Sequence, residues 1–355
     1  MDVISEYLRS ITEMIDAQSL AIDAMAGQLE DQDKRLQTME KQLSYLMNLP
    51  EIMVHQVPAI DRDRIDYEID RMNDLDCKDV LNHDPRPSNL TISLTSFPAR
   101  MHELKYTLYS LVRQTIKPDR IILWLTHEEF PRHEEEIAPY LLELIKRWKI
   151  TIGWTHNERA YNKLIPSLKA YPDDIIVTAD DDIFYWQDWL EGLYRDYLQY
   201  GNITAHRVDR VIVDGNGRIK EHASWPFAER GSVAYANVGT GVGGVLYFPG
   251  CFHPDVTDAT KYMRLCPMAD DLWFWAMEVL GGQKIRTTRD PVHDMICVNP
   301  MREFSKDPAE HLMAENVFRG GNERQLRSLL EEYPQLERIL KEEDKALKDK
   351  EMINE

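Results

Sequence analysis

"DDIIVTADDDIFYWQDW", residues 173–189, joins an apolar run to three consecutive acids. Ile175, Ile176 and Val177 read as a short strand, because an unbroken β-branched run suits a strand covered on both faces. Asp180, Asp181 and Asp182 follow at its carboxyl end. Adjacent carboxylates repel one another, so the trio needs either open solvent or a cation among its members. As a plain acidic turn it requires nothing more. As a ligand set, its hard oxygens suit Mg2+ or Mn2+, which are held by one or two carboxylates together with substrate phosphates.

Upstream, strand and helix alternate. Residues 90–97 read as a buried strand and 101–115 as a helix with Leu104, Leu108 and Leu111 on one face. "KPDRIILWLT" reads as a turn and second strand, "EEEIAPYLLELIKRW" as a helix, "ITIGWT" as a third strand and "YNKLIPSLKAY" as a third helix. This alternation implies βαβ units, hence an α/β fold with a mostly parallel sheet and helices on both faces. Ligands of such sheets bind beyond the carboxyl ends of the strands, where the acidic trio lies. Thr95, Ser96 and Arg100 end the first strand, and Lys163 shortly precedes the acidic one.

Downstream, a helix over 188–200 precedes "ITAHRVDRVIVD", and "GNGR" suggests a turn between two strands. The glycine-rich "NVGTGVGGVLYFPG" and then "MADDLWFWAMEVLGG" follow, the latter a helix beginning at Asp270 and Asp271. A charged amphipathic helix and tail close the chain. The first fifty residues obey another rule. Ile4, Leu8, Ile11, Ile15, Gln18, Ile22, Met25, Leu29, Gln32, Leu36, Met39, Leu43 and Leu46 recur at alternating spacings of four and three. That seam predicts a self-associating coiled coil, leaning to a trimer or tetramer; an amphipathic helix folded back on the globular part is the alternative. The expected organisation is a coiled coil over 1–49, a charged linker over 50–88, a catalytic domain over 89–318 and a helical tail over 319–355.

The formal charge is −19, from 61 acidic and 42 basic side chains. A nucleic-acid binder would present a basic face, so that class is set aside. No run reaches the roughly 18 apolar residues of a membrane span, and no basic-then-apolar leader opens the chain. Cys77, Cys251, Cys266 and Cys297 stand far apart and read as free thiols of a reducing compartment. The expected location is the cytoplasm, with a peripheral position at the inner face of the membrane left open.

Taken in order, "ISLTSFPAR", "SLVRQTIKPDRIILWL", "NKLIPSL", "DDIIVTADDDIFY", "GVGGVLYFPG" and "ADDLWFWA" resemble the GT-A-fold nucleotide-sugar glycosyltransferases. The likeness is to family-2-like bacterial enzymes of capsule and lipopolysaccharide synthesis, and it spans about residues 90–300. It implies a GT-A fold, a Mn2+ or Mg2+ cofactor, a nucleotide-diphosphate sugar donor (a UDP-sugar foremost) and a glycan or lipid-linked acceptor. By position, Thr95, Ser96, Phe97 and Arg100 would contact the nucleotide, and Lys163 the diphosphate or base. Asp180 would face the ribose and Asp182 the metal, with Asp180 also open to the metal, and Asp181 to the nucleotide or, in place of Asp182, to the metal. His293 would be a further metal or phosphate ligand. Gly243 and Gly244 would lie against the donor sugar or acceptor. Asp271, with Asp270 second, matches the catalytic base of inverting members, which takes the proton of the attacking hydroxyl. Trp186 and Trp225 are candidates to stack on an acceptor sugar.

Other readings stay open for several of these residues. Asp270 and Asp271 would also suit the cap of their helix, and Gly243 and Gly244 a bulged strand. An oligomeric scaffold with an inactive, glycan-binding domain is the alternative function. A haloacid-dehalogenase-type phosphatase is disfavoured, because Phe184 stands where its nucleophile strand requires Thr or Val.

Overall fold

The apolar runs assemble side by side in the computed structural model, which describes residues 60–72, 80–289, 296–299 and 320–354. The heptad repeat, Cys77 and His293 lie outside the described residues. Helix α1 (Arg62–Arg71) opens at Asp61, whose carboxylate accepts the Arg64 N–H at 3.0 Å. Then β1 (Leu90–Thr95), α2 (Leu104–Val112), β2 (Arg120–Thr126), α3 (Pro139–Arg147), β3 (Thr151–Thr155), α4 (Ile165–Ala170) and β4 (Ile175–Thr178) alternate. Past the acidic turn come β5 (Ile183–Phe184), α5 (Trp189–Tyr200), β6 (Ile203–Ala205), β7 (Val208–Arg210), β8 (Val233–Ala234), β9 (Asn237–Gly239) and β10 (Val245–Tyr247). The remainder is α6 (Ala259–Leu265), α7 (Asp270–Leu280), β11 (Ile285–Thr287), β12 (Ile296–Cys297), α8 (Gly321–Glu332) and α9 (Pro334–Asn354).

Eight strands form one sheet in the order β3-β2-β1-β4-β10-β6-β11-β8. Six run in the same direction, and β10 and β8 run against them. The chain thus has the expected α/β architecture with a mostly parallel sheet. Two local expectations differ. The helix anticipated over "YNKLIPSLKAY" is a 3-10 turn (Arg159–Lys163) followed by α4. Pro166 explains the break, since its ring would strike the Asn162 carbonyl in a continuous α-helix. "ITAHRVDRVIVD" divides into β6, inside the sheet, and β7, which leaves it to pair with β9.

Each face of the sheet has its own core. Leu90, Ile92, Leu94, Leu123 and Val177 lie in one cluster, joined by Ile65 and Ile69 of α1. Ile176, Val245 and Tyr247 lie in the other, with the aromatic residues of α7 and with Leu326, Leu329, Leu336 and Leu340 of α8 and α9. The segments read as linker and tail therefore both supply packed helices. β1 is buried on both faces, but its second face is polar. Thr91 Oγ1 donates to Asp174 at 2.7 Å, and Ser93 Oγ lies 2.7 Å from Ser167 Oγ. Cys251 and Cys266 are buried free thiols and Cys297 is half-buried. Among the described residues no helix is long and apolar enough to cross a membrane.

Candidate active site

Register decides which strand ends meet. Ser93 lies opposite Thr178 across β1 and β4, and Val245 opposite Thr178 across β4 and β10. The loop after β1, the acidic turn after β4 and the glycine turn before β10 therefore converge. The 3-10 turn ending at Lys163 joins them, held beneath β1 by Ser93 Oγ, which donates to the Lys163 carbonyl at 2.6 Å.

The three acids have separate fates. Asp181 turns inward, accepting from Ser96 Oγ at 2.6 Å and from Arg100 Nη1 at 2.5 Å. Arg100 also pairs with Asp182 Oδ2 at 2.9 Å and lies over the Phe97 ring. Thr95 Oγ1 donates to the Trp124 carbonyl at 2.9 Å. Ser96, Arg100 and Asp181 thus form a knot that shapes the turn, and the Asp181 side chain keeps 6% exposure. Asp180 and Asp182 keep 27% and 29%. The aromatic residues after the trio brace it. Tyr185 Oη accepts the Asp180 N–H at 2.8 Å, its ring packs on Trp189, and Trp189 Nε1 donates to the Gly243 carbonyl at 2.7 Å. Gly244 has φ +84°, and a Cβ there would stand 2.5 Å from the Trp189 indole, so only glycine fits.

Lys163 connects the two acidic segments. Its Nζ is 3.0 Å from Asp180 Oδ1 and 3.1 Å from Asp270 Oδ2. The contact with Asp270 is an ion pair without hydrogen-bond geometry. Neither acid of α7 caps its helix; the N-cap is Ala269, and no side chain caps it. Asp271 Oδ1 instead accepts the Gly241 N–H at 3.0 Å. Gly241 is packed so closely that a Cβ would lie 2.2 Å from Lys163 Nζ. Burial disfavours the Lys163 ammonium, yet Asp180, Asp270 and Asp271 together hold its pKa well above the ordinary lysine value. Burial pushes the Asp271 carboxyl up to about 7, with Asp270 adding to the effect and Lys163 opposing it. Two turns along α7, burial and then Asp271 push Glu278 up to about 8.

Trp186 is 41% exposed just past the acidic turn, whereas Trp225 is buried against Trp275, its indole donating to the Lys220 carbonyl at 2.9 Å. Several site residues escaped the sequence reading. Glu278 is one; Gly241 and Tyr185 stand in stretches which that reading singled out, but their supporting roles did not show there. Apart from the site, imidazoles follow β2 and β3 at the same edge of the sheet: His127 Nδ1 lies 3.0 Å from His133 Nε2, and His156 Nδ1 lies 2.9 Å from Glu128 Oε1. The repeated Thr-His at the two strand ends was the available sign.

Asp180 and Asp182 are half-open carboxylates at a strand end, a donor set that fits Mg2+ or Mn2+. Among the described residues no three His, Cys, Asp or Glu side chains surround a common point. Two carboxylates are enough for such an ion where phosphate oxygens and water complete the shell.

No family model matches the chain, and no curated protein does. Solved structures resembling it include residues 1–349 of TarS from S. aureus, with 12% identity, 69% of this chain, 71% of that one and a TM-score of 0.40. A mannosyltransferase from Pyrobaculum calidifontis in complex with GDP-Man and Mn2+ shares 13% identity over 72% of this chain and 79% of its own, with a TM-score of 0.36. A 4-diphosphocytidyl-2C-methyl-D-erythritol synthase from Anaerococcus prevotii shares 11% over 60% and 94%, at 0.36. These likenesses are partial, and the chemistry of the site stands on its own residues.

Proposed function

We propose that the protein is a metal-dependent glycosyltransferase. It moves a sugar from a nucleoside-diphosphate donor, a UDP-sugar foremost, to a glycan or lipid-linked acceptor of a bacterial surface polysaccharide, with inversion. One observation carries this reading. The buried Lys163 ammonium ties Asp180, one of the two half-open carboxylates of the acidic turn, to Asp270 at a helix end where the neighbouring Asp271 carboxyl is pushed up to about 7.

In this reaction the acceptor hydroxyl lies at Asp271. Its oxygen forms a bond to the sugar carbon as the bond from that carbon to the diphosphate oxygen breaks, and the electron pair leaves with the nucleoside diphosphate. Asp271 takes the hydroxyl proton, a task for which a carboxyl titrating near neutrality is suited. The Gly241 N–H fixes that carboxyl, and Lys163 stabilises the charge gathering on the departing diphosphate. Asp180 and Asp182 would hold Mg2+ or Mn2+, which would supply further neutralisation of the diphosphate charge. The heptad repeat over 1–49 gathers copies at one acceptor and raises the local concentration of sites. Light scattering checks that part: removal of 1–49 yields a monomer, and an unchanged mass refutes it.

Calorimetric titration of the full chain with UDP, GDP and CDP in Mn2+, followed by assay of UDP-sugars, tests the activity. The expected outcome is metal-dependent binding of one nucleotide and release of nucleoside diphosphate rather than pyrophosphate. A chain that binds none of the three with Mn2+ is not this enzyme.

A further inference from the structure

A second concavity, of about 660 Å3, lies between edge strand β8, the loop carrying Phe227 and helix α9. Seven large apolar side chains are exposed among the described residues, and three of them line this groove: Phe227 at 69%, Leu347 at 42% and Val233 at 37%. These three share one concavity instead of standing singly on the surface. One ion pair already occupies the groove's charged side. Lys284 Nζ pairs with Glu343 Oε1 at 2.9 Å and lies over the Tyr235 ring, and Glu343 also accepts the Tyr235 and Ala236 N–H groups.

Arg207 connects the groove to the acids. Its main chain lies against the glycine turn: the Arg207 carbonyl accepts the Thr240 N–H at 3.0 Å, and a Cβ on Gly243 would stand 2.7 Å from the Arg207 nitrogen. Its guanidinium lies over the exposed Phe227 ring, 5.2 Å from the centroid. One side of Gly241–Gly243 therefore faces Lys163 and Asp271, and the other leads through Arg207 to Phe227.

We propose that this groove holds the distal part of the acceptor glycan, a stretch of neutral sugars, while the reacting end lies at Asp271. The proposal rests on the glycosyltransferase reading for that reacting end. Its chemistry follows from the lining. An exposed aromatic face packs on sugar C–H faces, the exposed Glu342 carboxylate and the fixed Lys284–Glu343 pair exchange hydrogen bonds with hydroxyls, and a lining with Glu229, Glu342 and Glu343 beside Arg210 and Lys284 has no excess of positive charge to call for an anion. An acyl chain would instead dehydrate that ion pair without replacing its hydrogen bonds. The volume lies within the range of small-ligand sites.

The test uses the full chain on an array of neutral and anionic oligosaccharides one to eight sugars long, beside calorimetric titration with UDP and Mn2+. Neutral oligomers of several sugars should be retained by the native chain. Phe227→Ala and Leu347→Glu, both at exposed positions, should each weaken retention by about tenfold, with UDP binding unchanged. Retention of anionic sugars alone, or equal retention by both variants, overturns the proposal. So does a fall in assembly size for either variant in light scattering, which would make the groove a surface between copies. Loss of UDP binding by the native chain defeats the transferase reading instead, and the acceptor role of the groove with it, whereas oligosaccharide retention reports on the groove alone.

Discussion

The two acidic segments meet at Lys163 but carry their charge in different ways. In the turn after β4, Arg100 grips Asp181 and Asp182, Lys163 holds Asp180, and the outer two acids keep over a quarter of their surface open. In the first turn of α7, Asp270 is buried, and the half-buried Asp271 has a main-chain N–H for a partner and a desolvated carboxyl pushed up to about 7. One residue type has been given two environments. Acids braced by cations and open at the edge suit holding a charge, and a desolvated acid whose pKa is raised toward neutrality suits moving a proton.

Substitution separates those roles, and the largest effect falls on α7. Asp271→Asn keeps the shape and removes the proton acceptor, so turnover of donor and acceptor should fall about 10^3-fold while UDP binding in Mn2+ stays native. Asp182→Ala should do the reverse, abolishing the metal-dependent part of UDP affinity. If both variants lose nucleotide binding equally, the division of labour between turn and helix is wrong. In the native enzyme, kcat should rise with pH through about 7 as Asp271 ionises, and this limb should vanish with the donor-hydrolysis background of Asp271→Asn.

Next in size is the residue shared by both segments. Lys163→Met leaves Asp180 and Asp270 without their cation. Breaking a buried ion pair from one side costs about 3–5 kcal/mol, which urea unfolding of the variant should read. A loss below about 1 kcal/mol would mean that water reaches the pair freely, and that Lys163 does not join the two segments energetically.

Much of this arrangement was legible in the chain. β1, β2 and β4 are apolar runs with few competing interpretations, and consecutive acids are visible by eye. The antiparallel β10 was harder, because Val245–Tyr247 is short and follows a glycine turn whose conformation depends on the Trp189 indole packed against Gly244. The packing of α1, α8 and α9 was hidden by their charged composition, although Leu326, Leu329, Leu336 and Leu340 reach the core. At the site, chemistry was easier to see than support. Asp271 stands out by type, whereas Gly241 matters only because Lys163 presses against it, and Tyr185 only because its hydroxyl meets the Asp180 N–H.

Glu278 sharpens the comparison with the smallest expected effect. It lies on α7 two turns after Asp271, is 2% exposed, and has one carboxyl oxygen without a hydrogen-bond partner. Burial, with Asp271 adding, raises it from 4.5 to about 8. A carboxyl raised on folding binds its proton more tightly in the native state, so stability should be full below about pH 4.5 and fall as pH climbs toward 8. Glu278→Gln removes this contribution, and should flatten the decline between pH 6 and pH 8 by about 2 kcal/mol in urea midpoints. Asp271→Asn should flatten the lower part of the same slope, up to about pH 7. Replacing Asp182 in the open turn should leave it in place. If the native chain is instead more stable at pH 8 than at pH 6, the interior of α7 is not where the unfavourable charge resides, and the contrast between the two acidic segments fails.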